Sequence, residues 1–242
     1  MKNFVFISFG RKTAYAATVL LTATFCLFSC KKEDSPPEPI GNAQVMFVHA
    51  VADAPDMEIA INDKRQSTVL DSLSATNYLT IEAGSKIIKL NEAGTSKAPY
   101  VTVNQSLIKN MYYSVFAVNQ VSSVETLVLV DSLDKVASGK TFIRFIHLAP
   151  AAPDVQIALV NTDNTLGQTI IPSTAYKKYT NFRAQDAGSL KLAVQKTSDL
   201  SVVYTTPAYN YEAGKFYTVI AQGWKTQQGN DSLTTRVIAN RK

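Results

Sequence analysis

Residues Val45–Asp56 read VMFVHAVADAPD, and 98 positions later Ile143–Asp154 read IRFIHLAPAAPD. Aligned, the two stretches pair Phe47 with Phe145, His49 with His147, Pro55 with Pro153 and Asp56 with Asp154. Downstream, Ala83-Gly84-Ser85 answers Ala187-Gly188-Ser189, and Tyr112-Tyr113-Ser114-Val115 answers Phe216-Tyr217-Thr218-Val219, both at a spacing of 104. Self-similarity on this scale marks one structural unit built twice. The six residues added between the matched segments are expected in loops, where insertions disturb no core. Asn110 stands where Gly214 stands, and these residue types most readily adopt a left-handed backbone at a tight turn.

Within each unit the apolar residues alternate. Met57, Ile59 and Ile61 take turns with Glu58, Ala60 and Asn62, and Val155, Ile157 and Leu159 repeat the pattern. Period two is the signature of a strand with one buried face. The runs YYSVFAV (112–118) and FYTVIAQ (216–222) are apolar enough for central strands, and no sustained helical period follows residue 30. The expected fold is all-β: two tandem antiparallel β-sandwiches of immunoglobulin-like or related topology, at 43–133 and 141–242, joined by a short linker at 134–140. A linker of that length holds the two bodies in fixed or nearly fixed contact.

The phrases VMFVHAVADAPDMEIAI and IRFIHLAPAAPDVQIAL, with EAGSKIIKL, DAGSLKLAV and EAGKFYTVIAQG, resemble the bacterial domain of unknown function numbered 4397, in two copies. The resemblance implies a β-sandwich on a cell envelope and supplies neither a reaction nor a ligand.

The first 29 residues carry Lys2, Arg11 and Lys12 ahead of a charge-free run from Thr13 to Ser29, the layout of a secretory signal. The run ends in LFSC, which resembles a bacterial lipobox and implies that Cys30 becomes the acylated first residue of the mature protein. Cys26 fits that role poorly because Phe25 precedes it. Residues 30–42 read as a flexible, proline-rich tether. Lys32-Glu33-Asp34 looks like the signal that sends some Bacteroidetes lipoproteins to the outer face of the outer membrane; a periplasm-facing anchor is the alternative.

The formal charge of +5 shrinks once the three cations ahead of Cys30 are removed, leaving 21 basic against 19 acidic side chains. No nucleic-acid-binding stripe follows from that balance. Neither of the two cysteines falls within the sandwiches, so these carry no disulfide. No Gly-x-Ser-x-Gly elbow or phosphate-cradling glycine loop is present, and no enzymatic activity, cofactor or metal is expected.

His49 and His147 share parity with the core residues of their strands. They are expected to close a strand-to-loop corner, with Pro55 and Pro153 stiffening the loop and Asp56 and Asp154 accepting backbone amides. A metal or acid-base site from His49 with Asp53 or Asp56 is the sharper alternative, weakened because Ala151 replaces Asp53 in the second copy. Asn161-Thr162-Asp163-Asn164 is expected to be a hairpin loop rather than a calcium loop, since it lacks the glycine and terminal glutamate. Trp224, Tyr209 and Tyr211 are the candidate binding residues. These observations lead to a lipid-anchored adhesion or recognition module for a protein or glycan, with a structural spacer of the outer membrane as the alternative.

Overall fold

The computed structural model describes residues 41–134, 137–150, 152–223 and 234–240. They belong to one compact unit, Pro39–Lys242. Cys30, the signal segment, most of the tether, Ala151 and Trp224 lie outside the described residues.

The first copy forms β1 (Asn42–His49), β2 (Met57–Ile61), β3 (Lys64–Leu70), β4 (Leu79–Glu82), β5 (Gly84–Glu92), β6 (Val101–Leu107), β7 (Tyr112–Val118) and β8 (Glu125–Val130). These make two sheets, ordered β4-β1-β7-β8 and β3-β2-β5-β6. The second copy forms β9 (Lys140–His147), β10 (Val155–Val160), β11 (Leu166–Thr174), β12 (Arg183–Asp186), β13 (Gly188–Lys196), β14 (Val202–Thr205), β15 (Tyr209–Tyr211), β16 (Phe216–Gln222) and β17 (Thr234–Asn240). Its sheets run β12-β9-β16-β17 and β11-β10-β13-β14, with β15 also on β13. Strand for strand this is the same order, so the described residues are all-β and build two sandwich-like bodies.

Inward-facing residues fill each sandwich as the alternation requires. Val45, Phe47, Met57, Ile59, Ile88, Leu90 and Val115 are fully or almost fully buried in the first; Ile143, Phe145, Val155, Ile157, Leu192, Val194 and Val219 do the same in the second. Burial of such side chains, about 1.5–3 kcal/mol each, is the main force holding each pair of sheets together.

One strand pair in each body departs from the antiparallel expectation. β1 lies parallel to β7, with Phe47 opposite Val115, and β9 lies parallel to β16, with Phe145 opposite Val219. Parallel pairs are normally covered on both faces, and these are. The residues between the core positions, Met46, Val48, Phe116 and Leu129 from one sandwich and Ile146, Leu148, Ile220 and Ile238 from the other, form a third buried cluster. The sheets containing β1 and β9 therefore pack on each other, giving four layers with a seam at the middle. Double-sided burial explains why β1, β7, β9 and β16 read as nearly continuous apolar runs.

The six extra residues of the second copy do not all fall in a loop. The β2–β3 turn is Asn62-Asp63, both with positive φ, whereas β10 and β11 are joined by the five residues 161–165. The remainder lengthens the strands: β10 has 6 residues against 5 in β2, and β11 has 9 against 7 in β3. Bulges between β10 and β11 absorb the surplus. Asn110 and Gly214 do take the left-handed conformation, with φ of 65° and 76°.

Candidate functional site

The histidine corners are built alike. His49 and His147 are fully buried. In each ring Nδ1 accepts the amide two residues on, Val51 or Ala149, at 3.3 Å. Nε2 lies 3.0 Å from the Pro55 carbonyl and 2.9 Å from that of Pro153. An amide can only donate and a carbonyl can only accept, so this pattern selects the neutral ring with its proton on Nε2. Burial lowers both histidine pKa values, partly opposed by the bond to the proline carbonyl and by Asp56 or Asp154.

Asp56 Oδ1 accepts the Ser72 amide at 2.8 Å, while the Asp154 backbone carbonyl accepts from Thr197 at 3.1 Å. Asp53 accepts the Val121 amide at 2.9 Å. Among the described residues no cluster of three His, Cys, Asp or Glu side chains could hold a metal ion. The 161–165 segment closes a hairpin, with Asn161 N bonded to the Thr165 carbonyl at 2.9 Å.

Tyr211 is fully buried in the second core, against Tyr217 and Tyr209 at ring-centroid distances of 4.9 and 5.1 Å. It therefore offers no ligand surface, a correction that follows from the pairing of β15 with β13. Tyr209 remains 37% exposed. Trp224 lies outside the described residues.

Sequence reasoning missed the polar centre of the seam. Arg144 on β9 is 3% exposed and forms an ion pair with Asp131, Nη1 to Oδ1 at 2.6 Å. Its Nε donates to Thr218 Oγ1 at 2.7 Å and its Nη2 to Ser114 Oγ at 3.2 Å. Ser114 and Tyr78 donate to Asp131 Oδ2, Thr218 donates to Asn240, and Asn240 donates to the Tyr78 hydroxyl at 2.9 Å. The guanidinium also lies over the Phe182 ring at 4.7 Å. Burial, reinforced by Asp131, drives the Tyr78 hydroxyl pKa upward. The available signal was a charged residue at 144 inside an otherwise apolar strand phrase, where Met46 stands in the first copy.

These residues are related by the duplication: Ser114 with Thr218, Tyr78 with Phe182, Met46 with Arg144, and Asp131 with Asn240 through equivalent pairing on β7 and β16. Two clefts flank the seam at corresponding places. The larger, about 570 Å³, is lined by Gln44, Asn77, Tyr78, Tyr112 and Arg236, among others. Tyr78 and Tyr112 meet edge to face at 5.1 Å along it. The smaller, about 300 Å³, has Asn181, Phe182 and Phe216 in the matching positions. There Tyr179 and Arg144 stand in place of Ala75 and Met46. The repeated Thr-Asn-aromatic segment rims both clefts: Thr76 and Thr180 each accept an amide from the neighbouring strand, Phe47 at 3.0 Å and Phe145 at 3.1 Å.

No curated protein matches the chain. A second match to the family resembled by the repeated phrases is not found over the rest of the chain, although β9–β17 repeat β1–β8 in order and pairing. The family model described as a domain of unknown function (DUF4397) matches residues 43–158, so the chain carries one such domain, running from β1 through the first sandwich and into β10.

Proposed function

We propose that this protein is a lipid-anchored, non-enzymatic recognition module of a bacterial outer membrane, and that its ligand is a glycan held in the larger seam cleft. The observation that supports this reading is the lining of that cleft: Tyr78 and Tyr112 beside the amides of Gln44 and Asn77 and the guanidinium of Arg236, around about 570 Å³. Aromatic rings present apolar faces to the C–H surfaces of a sugar, while amides and a guanidinium match its hydroxyls. The anchor is supported by LFSC at Cys30 and by the tether that follows, and surface display by Lys32-Glu33-Asp34.

The test is binding of the purified chain to a glycan and host-protein panel, with Asn77→Ala, Tyr112→Ala and Trp224→Ala alongside. Retention of a glycan by the parent chain and its loss by at least about tenfold in the two cleft variants is expected; binding lost only in Trp224→Ala would move the site away from the cleft to Trp224. For the anchor, Cys30→Ser abolishes fatty-acid labelling and releases the chain from membranes, and protease added to intact cells cleaves it if it is displayed outward. A spacer reading draws on the buried seam, which couples the two sandwiches, and a chain that binds nothing on either panel favours it.

A further inference from the structure

Both sandwiches begin at the same end of the body. β8 ends where β9 begins, joined by residues 131–139. At the far end Lys177, beside His147, pairs with Glu125 at the start of β8 at 2.7 Å. The β6–β7 hairpin therefore shares its end of the molecule with its counterpart between β15 and β16.

The two hairpins have one backbone and opposite surfaces. In the first, the Tyr113 hydroxyl accepts the Ile108 amide at 3.1 Å and Asn110 N donates to the Asn42 carbonyl at 2.8 Å. In the second, the Tyr217 hydroxyl accepts the Glu212 amide at 3.0 Å and Gly214 N donates to the Lys140 carbonyl at 2.7 Å. Ile108 is 62% exposed and Met111 36% exposed. Their counterparts are the exposed Glu212 and Lys215. The turn does not need apolar residues to form, because the second copy forms it without them. Scattered exposed apolar residues are ordinary; two on one short turn, each replaced by a charged residue at the equivalent turn, call for a partner.

We propose that Ile108 and Met111 are a membrane-contacting tip that rests in the interfacial layer of the bilayer to which Cys30 is anchored. The tip is laced to the first residues of β1, where the tether arrives: Gln44 N donates to the Met111 carbonyl at 2.9 Å. Cys30 lies eleven residues before Gly41, a reach of at most about 40 Å when fully extended. This hairpin is thus leashed closest to the lipid, whereas the Glu212–Lys215 hairpin adjoins the linker. The stem of Lys109, between the two apolar residues in sequence, packs over Gly41, the residue at which the tether joins β1, and its ammonium suits the phosphates of the headgroup level. The acyl anchor and this second contact together fix the orientation of a body that a tether alone leaves free to tumble, and this determines which way the seam clefts face.

The inference rests on acylation of Cys30, and one experiment separates the two. Full-length chain carrying Met111→Cys or Lys215→Cys is isolated in membranes, its fatty-acid label is recorded, and an environment-sensitive fluorophore on the new thiol is quenched by nitroxide lipid and by aqueous iodide. Labelled chain whose 111 probe is quenched by nitroxide lipid about threefold more than the 215 probe, and by iodide correspondingly less, is the expected result. Labelled chain with equal iodide access at both positions overturns the tip and leaves the anchor standing. Shielding from iodide without nitroxide quenching also overturns it, because a protein then covers the tip. Unlabelled chain in the soluble fraction overturns both. A second variant guards against local disruption by the probe: Ile108→Glu with Met111→Lys, the residues of the second copy, read from a probe at Lys109→Cys. It keeps the fatty-acid label and loses the nitroxide quenching; quenching equal to the parent overturns the tip.

Discussion

At the seam, Met46 and Asp131 of the first sandwich occupy the places that Arg144 and Asn240 hold in the second. The strands presented are the same and the apolar positions around them match, so either copy could in principle face its own kind. The charges decide otherwise. Two first copies would bury two carboxylates with no cation, and two second copies would bury two guanidinium groups facing amides. Only the unlike pair joins Arg144 to Asp131. A duplicated fold has thus acquired pairing specificity at one point by making the wrong pairings costly.

The largest expected effect comes from breaking that point on one side. Asp131→Ala leaves Arg144 buried without its counter-charge, and denaturant unfolding is expected to show a loss of about 3–5 kcal/mol. Combining Arg144→Met with Asp131→Asn places in each copy the residue of the other, and is expected to return stability to within about 1 kcal/mol of the parent. A double variant as unstable as Asp131→Ala would mean that the seam needs the ion pair itself rather than freedom from an unpaired charge.

The histidine corners are where the copies agree, and they set a pH dependence. Burial holds both folded-state pKa values below the ordinary 6.5. Unfolding therefore takes up protons, so their contribution to stability is complete above pH 6.5 and falls as pH drops through that value toward the folded pKa. Each histidine contributes a slope of at most about 1.4 kcal/mol per pH unit there. Melting curves between pH 7.5 and 5 check this, and His49→Asn or His147→Asn should each flatten the decline by about half. Equal effects from the two variants would confirm that the corners are equivalent.

The smallest effect separates the two cores. Tyr211 stands where Leu107 stands, and its buried hydroxyl has no hydrogen-bond partner among the described residues. Burial, with Tyr209 and Tyr217 beside it, raises its pKa. Removing an unsatisfied buried hydroxyl relieves a cost, so Tyr211→Phe is expected to leave stability unchanged or raise it by up to about 1 kcal/mol. A clear loss in thermal unfolding would reveal a partner for that hydroxyl.

The duplication, the strands and the core-facing residues were legible in the amino-acid order because period two and repeated phrases are local properties. The left-handed turn at Asn110 and Gly214 was legible for the same reason. The parallel pairing of β1 with β7 was not, since nothing within either strand records which distant strand becomes its neighbour. Neither was the burial of Tyr211: alternation showed that Tyr209 and Tyr211 share a face, but not that β15 folds onto β13 and turns the second ring inward. The seam clefts were invisible because Gln44, Asn77, Tyr112 and Arg236 come from four separated segments.

What the order of residues determined by itself is the repeated unit, its alternating apolar face and the chemistry at each place along it, because side-chain direction on a strand follows from backbone geometry alone. What only the tertiary structure decided is which of the remaining faces meet. Apolar attraction between sheets is non-directional, so Arg144 and Asp131, 13 positions apart in sequence, become partners only when the two sandwiches stack.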